Sequence, residues 1–489
     1  LNDINESVSH KVNMQEGKII LTTTNAQANK FNQDYLSQVP GEEFNFKAQA
    51  QGNFGKEIFP TDEFLRLKQG AQVLMIKNDP EKRWVNGSIG KIHSIAEKKI
   101  KVFRECLVNG MTVIVVAQPH IHSIELAMFV RSGLRFEDMQ NNGISHFVEH
   151  MLFRGNSAYP TSHLLNREFE LIGRDLRAST MSDHTYYGFS PHISNIDRAI
   201  NLFSEFFLEP MFPEIELERG IILEECLEDL NEKGIDVDIN NLACKLLYPE
   251  NALARPTIGT EESIKNIRVE DLKRHYAQFY TPENMILVVA GCVDHKSFFD
   301  CAKKYFSRLI GNGFTPSNHF DETLNEAQFQ PALLFQYDSD SQVQLQVCFR
   351  AVSYNHPDYF IATLISRLFD DGVTSRLQKV LREEKGLVYS VECRTTSLPD
   401  TGTIDFDVSV RSEKVVEVTK ILLNEIKKFT STGTGADELE LVKQRYGYDL
   451  DYELDDPYRQ IIRYGFCHLY STEYTVEEER EKISRITPL

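Results

Sequence analysis

In the run Ser145-His-Phe-Val-Glu-His-Met-Leu-Phe-Arg-Gly155, two histidines stand four residues apart, with Glu149 three residues after the first. On a helix that spacing puts the imidazoles of His146 and His150 on one face, about 5–6 Å apart. Such a pair suits one tetrahedral Zn2+, which needs a third protein ligand and keeps one position open. Glu149 lies on the same side, where it can reach a water at the open position without itself binding metal, as a general base must. A second acidic run, Glu216-Leu-Glu-Arg-Gly-Ile-Ile-Leu-Glu-Glu-Cys226, supplies the third ligand. Glu218 and Glu225 are two helical turns apart and can face the same neighbour. Glu225 is expected at the metal and Glu218 behind a histidine as its hydrogen-bond partner. Glu224 points elsewhere.

A helical His pair beside a Glu is also met as an ordinary polar face. What favours metal is the setting, because Ile144, Phe147, Val148, Met151, Leu152 and Phe153 surround the three residues. Ionisable groups embedded in an apolar helix need partners, and coordination provides them.

The elements that must hold this pair of helices read as follows. Strands are expected at Thr112 to Gln118 and Ser123 to Arg131, then helices at Ile144 to Phe153 and Leu164 to Ile172, with strands and helices alternating through Val293. Gly311 to Glu326 has the composition of a linker. Beyond it the pattern restarts: Tyr187-Gly-Phe-Ser-Pro-His-Ile193 and the helix Ile196 to Phe207 are echoed by Asp405-Phe-Asp-Val-Ser-Val-Arg411 and the helix Val415 to Phe429. Both read as strand, short polar joint and amphipathic helix, as in a duplicated unit. Before about Phe103 the chain is β-rich, with strands at Lys18 to Thr24 and Ala71 to Lys77, a turn at Asn86-Gly87 and one helix, Asn25 to Gln38. The fold class expected is α+β: two homologous α/β-sandwich domains with antiparallel-rich sheets, preceded by a small β-rich segment. The boundaries are 1–102, 103–312 for the catalytic domain, 313–326 for the linker and 327–489 for the non-catalytic domain.

Bulk properties agree with a globular chain of two or three domains: 489 residues, 41% hydrophobic and 26% charged. A net charge of −19 argues against a general polyanion binder and permits a cationic substrate. The eight cysteines are scattered without zinc-ribbon or disulfide-framework spacing, and read as reduced thiols. No basic start followed by an apolar run, and no apolar run of membrane-spanning length, is visible. A cytoplasmic protein is the expectation, with an organelle matrix as the other option.

The segment from about Cys106 onward resembles the pitrilysin, insulin-degrading enzyme and mitochondrial processing peptidase family, the inverzincin zinc metallopeptidases, and most closely its shorter members with one pair of repeats. The likeness rests on the H-x-x-E-H helix, on the distal Glu225 and on Glu218-Arg219 seven residues before it. It extends through Tyr186-Tyr187, Pro210-Met-Phe-Pro213, Arg255-Pro-Thr-Ile-Gly-Thr-Glu-Glu-Ser-Ile264 and Asn284-Met-Ile-Leu-Val-Val-Ala-Gly291. In the second half it includes Gly372-Val-Thr-Ser-Arg-Leu377 and Leu381-Arg-Glu-Glu-Lys-Gly-Leu-Val-Tyr-Ser-Val391. The resemblance implies a zinc metalloendopeptidase with Glu149 as base, in which Arg382 and Tyr389 close over the substrate and polarise the scissile carbonyl or hold the peptide backbone. One departure stands out. Where the family has Gly-Gly-x-x-Asn-Ala-x-Thr, this chain has Gly173-Arg174-Asp-Leu-Arg177-Ala178-Ser-Thr180. The strand around Arg177 is expected to hold substrate backbone, so the two arginines would alter affinity or specificity, or lower activity. The family also implies peptide or unfolded-polypeptide substrates, a homodimer or a heterodimer with a related chain, and a further helix and strand after Leu489 to complete the second domain.

Residues of about 10–100, through Ile20-Leu-Thr-Thr-Thr-Asn-Ala-Gln-Ala-Asn-Lys-Phe-Asn32, Leu65-Arg-Leu-Lys-Gln-Gly-Ala-Gln-Val-Leu-Met-Ile-Lys-Asn78 and Trp84-Val-Asn-Gly-Ser-Ile-Gly-Lys-Ile92, resemble the C-terminal part of RecD-like DNA helicases. No phosphate-binding Gly-x-x-x-x-Gly-Lys-Ser/Thr loop accompanies them, which excludes an ATP-driven motor within this sequence. Three readings follow: an active peptidase, a non-catalytic peptidase-like scaffold subunit, and a nucleic-acid-binding module at residues 1–102 fused to a peptidase domain.

Overall fold

The computed structural model describes residues 25–41, 43–47, 64–74, 88–92, 100–314, 324, 330–472 and 474–488. The strand expected at Lys18 to Thr24, the Asn86-Gly87 turn and most of the linker lie outside the described residues. The chain forms two compact units, residues 1–98 and 99–489.

In the first unit, helix α1 spans Asn25–Gln38. Strand β1 (Phe44–Lys47) pairs antiparallel with β2 (Phe64–Leu67), and β3 (Gln72–Leu74) with β4 (Ile89–Lys91).

The second unit begins a few residues before the expected boundary at 102. The reason is strand β5 (Lys101–Cys106), which a cut at 102 would divide and which pairs along its whole length with β6 (Thr112–Ala117). With β7 (Ile124–Val130), β8 (Arg177–Thr180), β9 (Thr185–Phe189) and β10 (Met285–Gly291) these form a six-stranded sheet of order β5-β6-β10-β7-β9-β8. Only β6 and β10 run parallel. Every residue of β7 and β10 is buried, because both faces of the sheet are covered, and the two strands accordingly read as near-continuous apolar runs.

One face carries the helices α2 (Ile144–Leu152), α3 (Ser162–Glu170), α4 (Ile196–Phe206), α5 (Ile215–Cys226), α7 (Glu261–Asn266), α8 (Val269–Phe279) and α9 (His295–Phe306), whereas α6 (Ile239–Leu247) lies against the strand Val343–Ala351 of the second sheet. The main core, including Leu126, Met128, Phe147, Phe169, Phe203, Phe206 and Leu272, lies between this sheet and helices from that group.

The second sheet has the order β11-β13-β12, with β11 Val343–Ala351, β12 Val388–Ser397 and β13 Gly402–Val410 all antiparallel. Helices α10 (Tyr359–Phe369) and α11 (Val415–Thr432) pack Phe369, Val418 and Leu422 against Val391, Phe406 and Val408. Helix α12 (Ala436–Glu453) and α14 (Val476–Ser484) pack on α10 through Leu439, Val442 and Ile483. The strand, 3-10 turn and helix at β9, Ile193–Asn195 and α4 recur at β13, Ser412–Lys414 and α11.

Helix α13 (Pro457–Leu469) departs from the expected division. It falls in the stretch assigned to the second domain, yet Ile461, Leu469 and Tyr470 pack on the outer face of the first sheet, against Ala127, Phe129, Ile286 and Val288. The approach is close at Gly465, where an added Cβ would sit 2.3 Å from the Phe129 ring. Arg135, from the first half, also holds Asp400 of the β12–β13 turn through two hydrogen bonds of 2.6 Å.

Candidate metal centre

Helix α2 enters through Gly143, whose φ of 90° is the left-handed conformation; a Cβ there would lie 2.4 Å from the Ile258 carbonyl oxygen. Gly143 offers no side chain to cap the helix. Glu137 does so from outside, accepting hydrogen bonds from the backbone N–H groups of Gly143 (2.7 Å) and Ser145 (2.9 Å) and from Asn142 Nδ2 (3.1 Å). Burial pushes the Glu137 carboxyl pKa upward, against these donors. Phe147, Val148, Met151 and Leu152 face the core, which fixes the rotation of α2 and turns His146, Glu149 and His150 to the opposite side.

Helix α5 brings the second acidic group alongside. Arg219 pins it to the neighbouring helix by donating to the carbonyl oxygens of Ile264 and Ile267 (2.9 Å to the latter), and its guanidinium lies 5.4 Å from the Phe147 ring of α2. Glu218 accepts from His150 Nδ1 at 2.8 Å and sits 3.4 Å from Arg154 Nε.

The Nε2 atoms of His146 and His150 are 3.1 Å apart, and Glu225 oxygens lie 3.7 Å from the first and 3.5 Å from the second. With the Nδ1 proton donated to Glu218, the neutral His150 ring would present its Nε2 lone pair to the same spot. Ligand atoms about 2.0–2.1 Å from a tetrahedral zinc are about 3.3 Å from each other. The three separations bracket that value, and the two imidazoles with one carboxylate are the donor set zinc takes. The residues fit the ion. Among the described residues this is the one group of three or more His, Cys, Asp or Glu side chains whose ligand atoms converge within 4.8 Å.

Burial, with His150 next to it, pushes the His146 pKa down to about 3, so the ring is neutral and able to ligate. Burial also works against charge on His150, but the Glu218 hydrogen bond and the carboxylates of Glu149, Glu218 and Glu225 outweigh it and raise its pKa. Glu149 is buried, and the loss of water raises its pKa despite a 2.6 Å hydrogen bond from the Thr180 hydroxyl. A carboxylate with a raised pKa is a better proton acceptor. Glu225, half-exposed, is raised by burial and by its acidic neighbours Glu228 and Asp229, against His150.

The other expected residues lie elsewhere. Arg382 is in a π-helical turn, Gln378–Glu383, where it faces Glu383 at 3.7 Å and the Tyr389 ring at 6.0 Å. Tyr389 is at the register shift of β12 and is 82% exposed. Neither hydrogen-bonds to the His–Glu group. Arg177 turns to the outer face of the sheet, paired with Glu125 and 5.5 Å from the Tyr458 ring of α13. Arg174 is exposed. Sequence reading missed two contributors, Glu137 and Thr180. Glu137 carried a signal, an acid a few residues before a helix preceded by Gly143, which has no side chain to cap it; Thr180 meets Glu149 only through strand pairing.

Comparison with known families matches residues 112–261 to insulinase (peptidase family M16) and residues 266–446 to the peptidase M16 inactive domain, together more than half of the chain. An uncharacterized zinc protease of Bacillus subtilis, YmxG, is 24% identical over 359 residues, covering 73% of this chain and 85% of the relative. One from Rickettsia felis is 27% identical over 331 residues, covering 66% and 77%. A crystal structure of a protease from Helicobacter pylori superposes with a TM-score of 0.71 at 20% identity, over 79% of this chain and 94% of that one. The helicase-like reading of residues 10–100 gains no support from these comparisons. The matched residues, 112–446, carry both the His–Glu group and the second sheet, and through them the chain belongs to peptidase family M16.

Proposed function

We propose that the chain is a zinc-dependent endopeptidase, with His146, His150 and Glu225 holding the ion, Glu149 as general base and Glu218 orienting His150. The observation that carries this reading is the convergence of three ligand atoms within 4.8 Å beside a buried carboxylate that is not one of them. When bound, zinc acts as a Lewis acid, polarising a carbonyl and lowering the pKa of water to about 7. The chain's own residues do the rest. Glu149 accepts the proton of the attacking water on its carboxylate and returns it to the leaving amine. Glu218 holds the Nδ1 proton of His150, so the Nε2 lone pair stays available. Arg382 and Tyr389 are proposed to meet the substrate from the second half of the molecule, as donors to the peptide backbone. Substrates are peptides or unfolded segments, and the working form is a homodimer or a heterodimer with a related chain.

The test is Glu149→Gln, which keeps the shape and removes the base. The variant is expected to bind zinc as the wild type does and to lose turnover by about 10²–10⁴-fold. Peptide cleavage at the wild-type rate would remove Glu149 from the mechanism.

A further inference from the structure

The side-chain hydrogen bond on Glu149 comes from a strand, not from its own helix. Thr180 Oγ1 donates to Glu149 Oε2 at 2.6 Å, and the Thr180 backbone N–H also faces the carboxylate. Thr180 ends β8, the edge strand of the first sheet, opposite Thr185 of β9, which in turn pairs with Val130 of β7. Side chains alternate along a strand, so Ala178 and Thr180 face α2 while Arg177 and Ser179 face the other way. On that other face Arg177 pairs with buried Glu125, which also accepts from Ser190, and the guanidinium rests over Tyr458 of α13. The β8 backbone is therefore held from its far side by an ion pair and from its near side by the contact to Glu149. The Arg177 that departs from the family pattern acts here as a tie for the strand rather than as a free cation.

We propose that Thr180 is a positioning residue for the general base: its hydroxyl fixes the orientation of the Glu149 carboxylate through Oε2. The inference rests on the peptidase reading of Glu149. A glutamate has three side-chain torsions, and an unheld carboxylate in a pocket samples orientations in which it cannot reach the water. Orientation errors of about 1 Å at a reacting group cost about 10²-fold in rate. A third group that orients the base, as the donor to Oε2 does, is the recurring way such a loss is avoided.

The experiment measures kcat, KM and bound zinc for the zinc-loaded full chain as wild type, Thr180→Val, Thr180→Ser, Glu149→Gln and the Thr180→Val/Glu149→Gln double variant. Valine keeps the branched shape and removes the hydroxyl; serine restores the hydroxyl and removes the methyl. Thr180→Val is expected to keep zinc and KM and to lower kcat by about 10–100-fold. Thr180→Ser is expected to stay within about threefold of wild type, and Thr180→Val is expected to add nothing in the Glu149→Gln background, since the two act as a unit. A structural role alone would lower Thr180→Ser and Thr180→Val alike, or move KM and zinc content with kcat, and would overturn the inference. So would wild-type kcat in Thr180→Val beside an inactive Glu149→Gln. An inactive wild type, or a fully active Glu149→Gln, would overturn the peptidase reading and the inference with it.

Discussion

The two ring nitrogens of His150 do different work, one bound to Glu218 at 2.8 Å and the other aimed at His146 and Glu225. Removing the carboxylate by Glu218→Ala leaves the ring free to turn and to take the wrong tautomer. Zinc affinity is expected to fall by about 10–100-fold, read by competition with a chromogenic chelator; unchanged affinity would mean that His150 is fixed by packing alone. At this scale the sequence was informative where spacing along one helix determines geometry, as for His146, Glu149 and His150, and for Glu218 and Glu225 two turns apart. It was uninformative for Thr180 and Arg177, because their partners, Glu149 and Glu125, lie 31 and 52 residues away and are met only after β8 has paired.

At the scale of the element, helix α2 depends on two buried groups. Glu137 accepts from its first backbone amides, and Glu137→Ala is expected to cost about 1–3 kcal/mol in stability, measured by urea unfolding. A loss near zero would show that solvent can cap α2. His275 of α8 lies fully buried beside the N-terminus of α2, 2.9 Å from Ser132 Oγ and 3.3 Å from Ser145 Oγ, and burial pushes its pKa down to about 3. Unfolded, the same ring titrates near 6.5. Below pH 6.5 the unfolded chain therefore binds a proton that the folded chain refuses. The contribution of neutral His275 is complete above that pH and is lost as pH falls toward 3, at about 1.4 kcal/mol per pH unit. His275→Gln is expected to flatten the slope of unfolding free energy against pH in that window, and an unchanged slope would show that the ring protonates in place. The helix limits themselves were readable from apolar periodicity, since Ile144 to Phe153 was expected and Ile144–Leu152 is observed. The caps were harder, because Glu137 is separated from α2 by a loop rather than standing at its N-cap.

At the scale of the molecule, the duplicated grammar of strand, joint and helix was visible in the sequence and recurs at β9–α4 and β13–α11. The crossing of α13 onto the first sheet was not visible. Its apolar face satisfies the helical pattern equally well against either sheet, and only the close approach at Gly465 to Phe129 identifies the partner. Gly465→Ala is therefore expected to destabilise the fold by about 1–3 kcal/mol through overpacking, whereas an open helix position would gain from the same change. A lowered urea midpoint at unchanged slope is the expected result, and a raised midpoint would contradict the packing. The same crossing ties the second half to the sheet whose edge carries Thr180, and the Arg135–Asp400 pair adds a second tie. The central claim is that the His146, His150 and Glu225 group makes this molecule a zinc peptidase. It is tested most directly by cleavage of an unfolded, fluorescence-quenched peptide before chelation, after chelation and after return of zinc. Cleavage that stops with the chelator and returns with zinc is the expected result; cleavage indifferent to chelation, or none from the zinc-loaded chain, would contradict it.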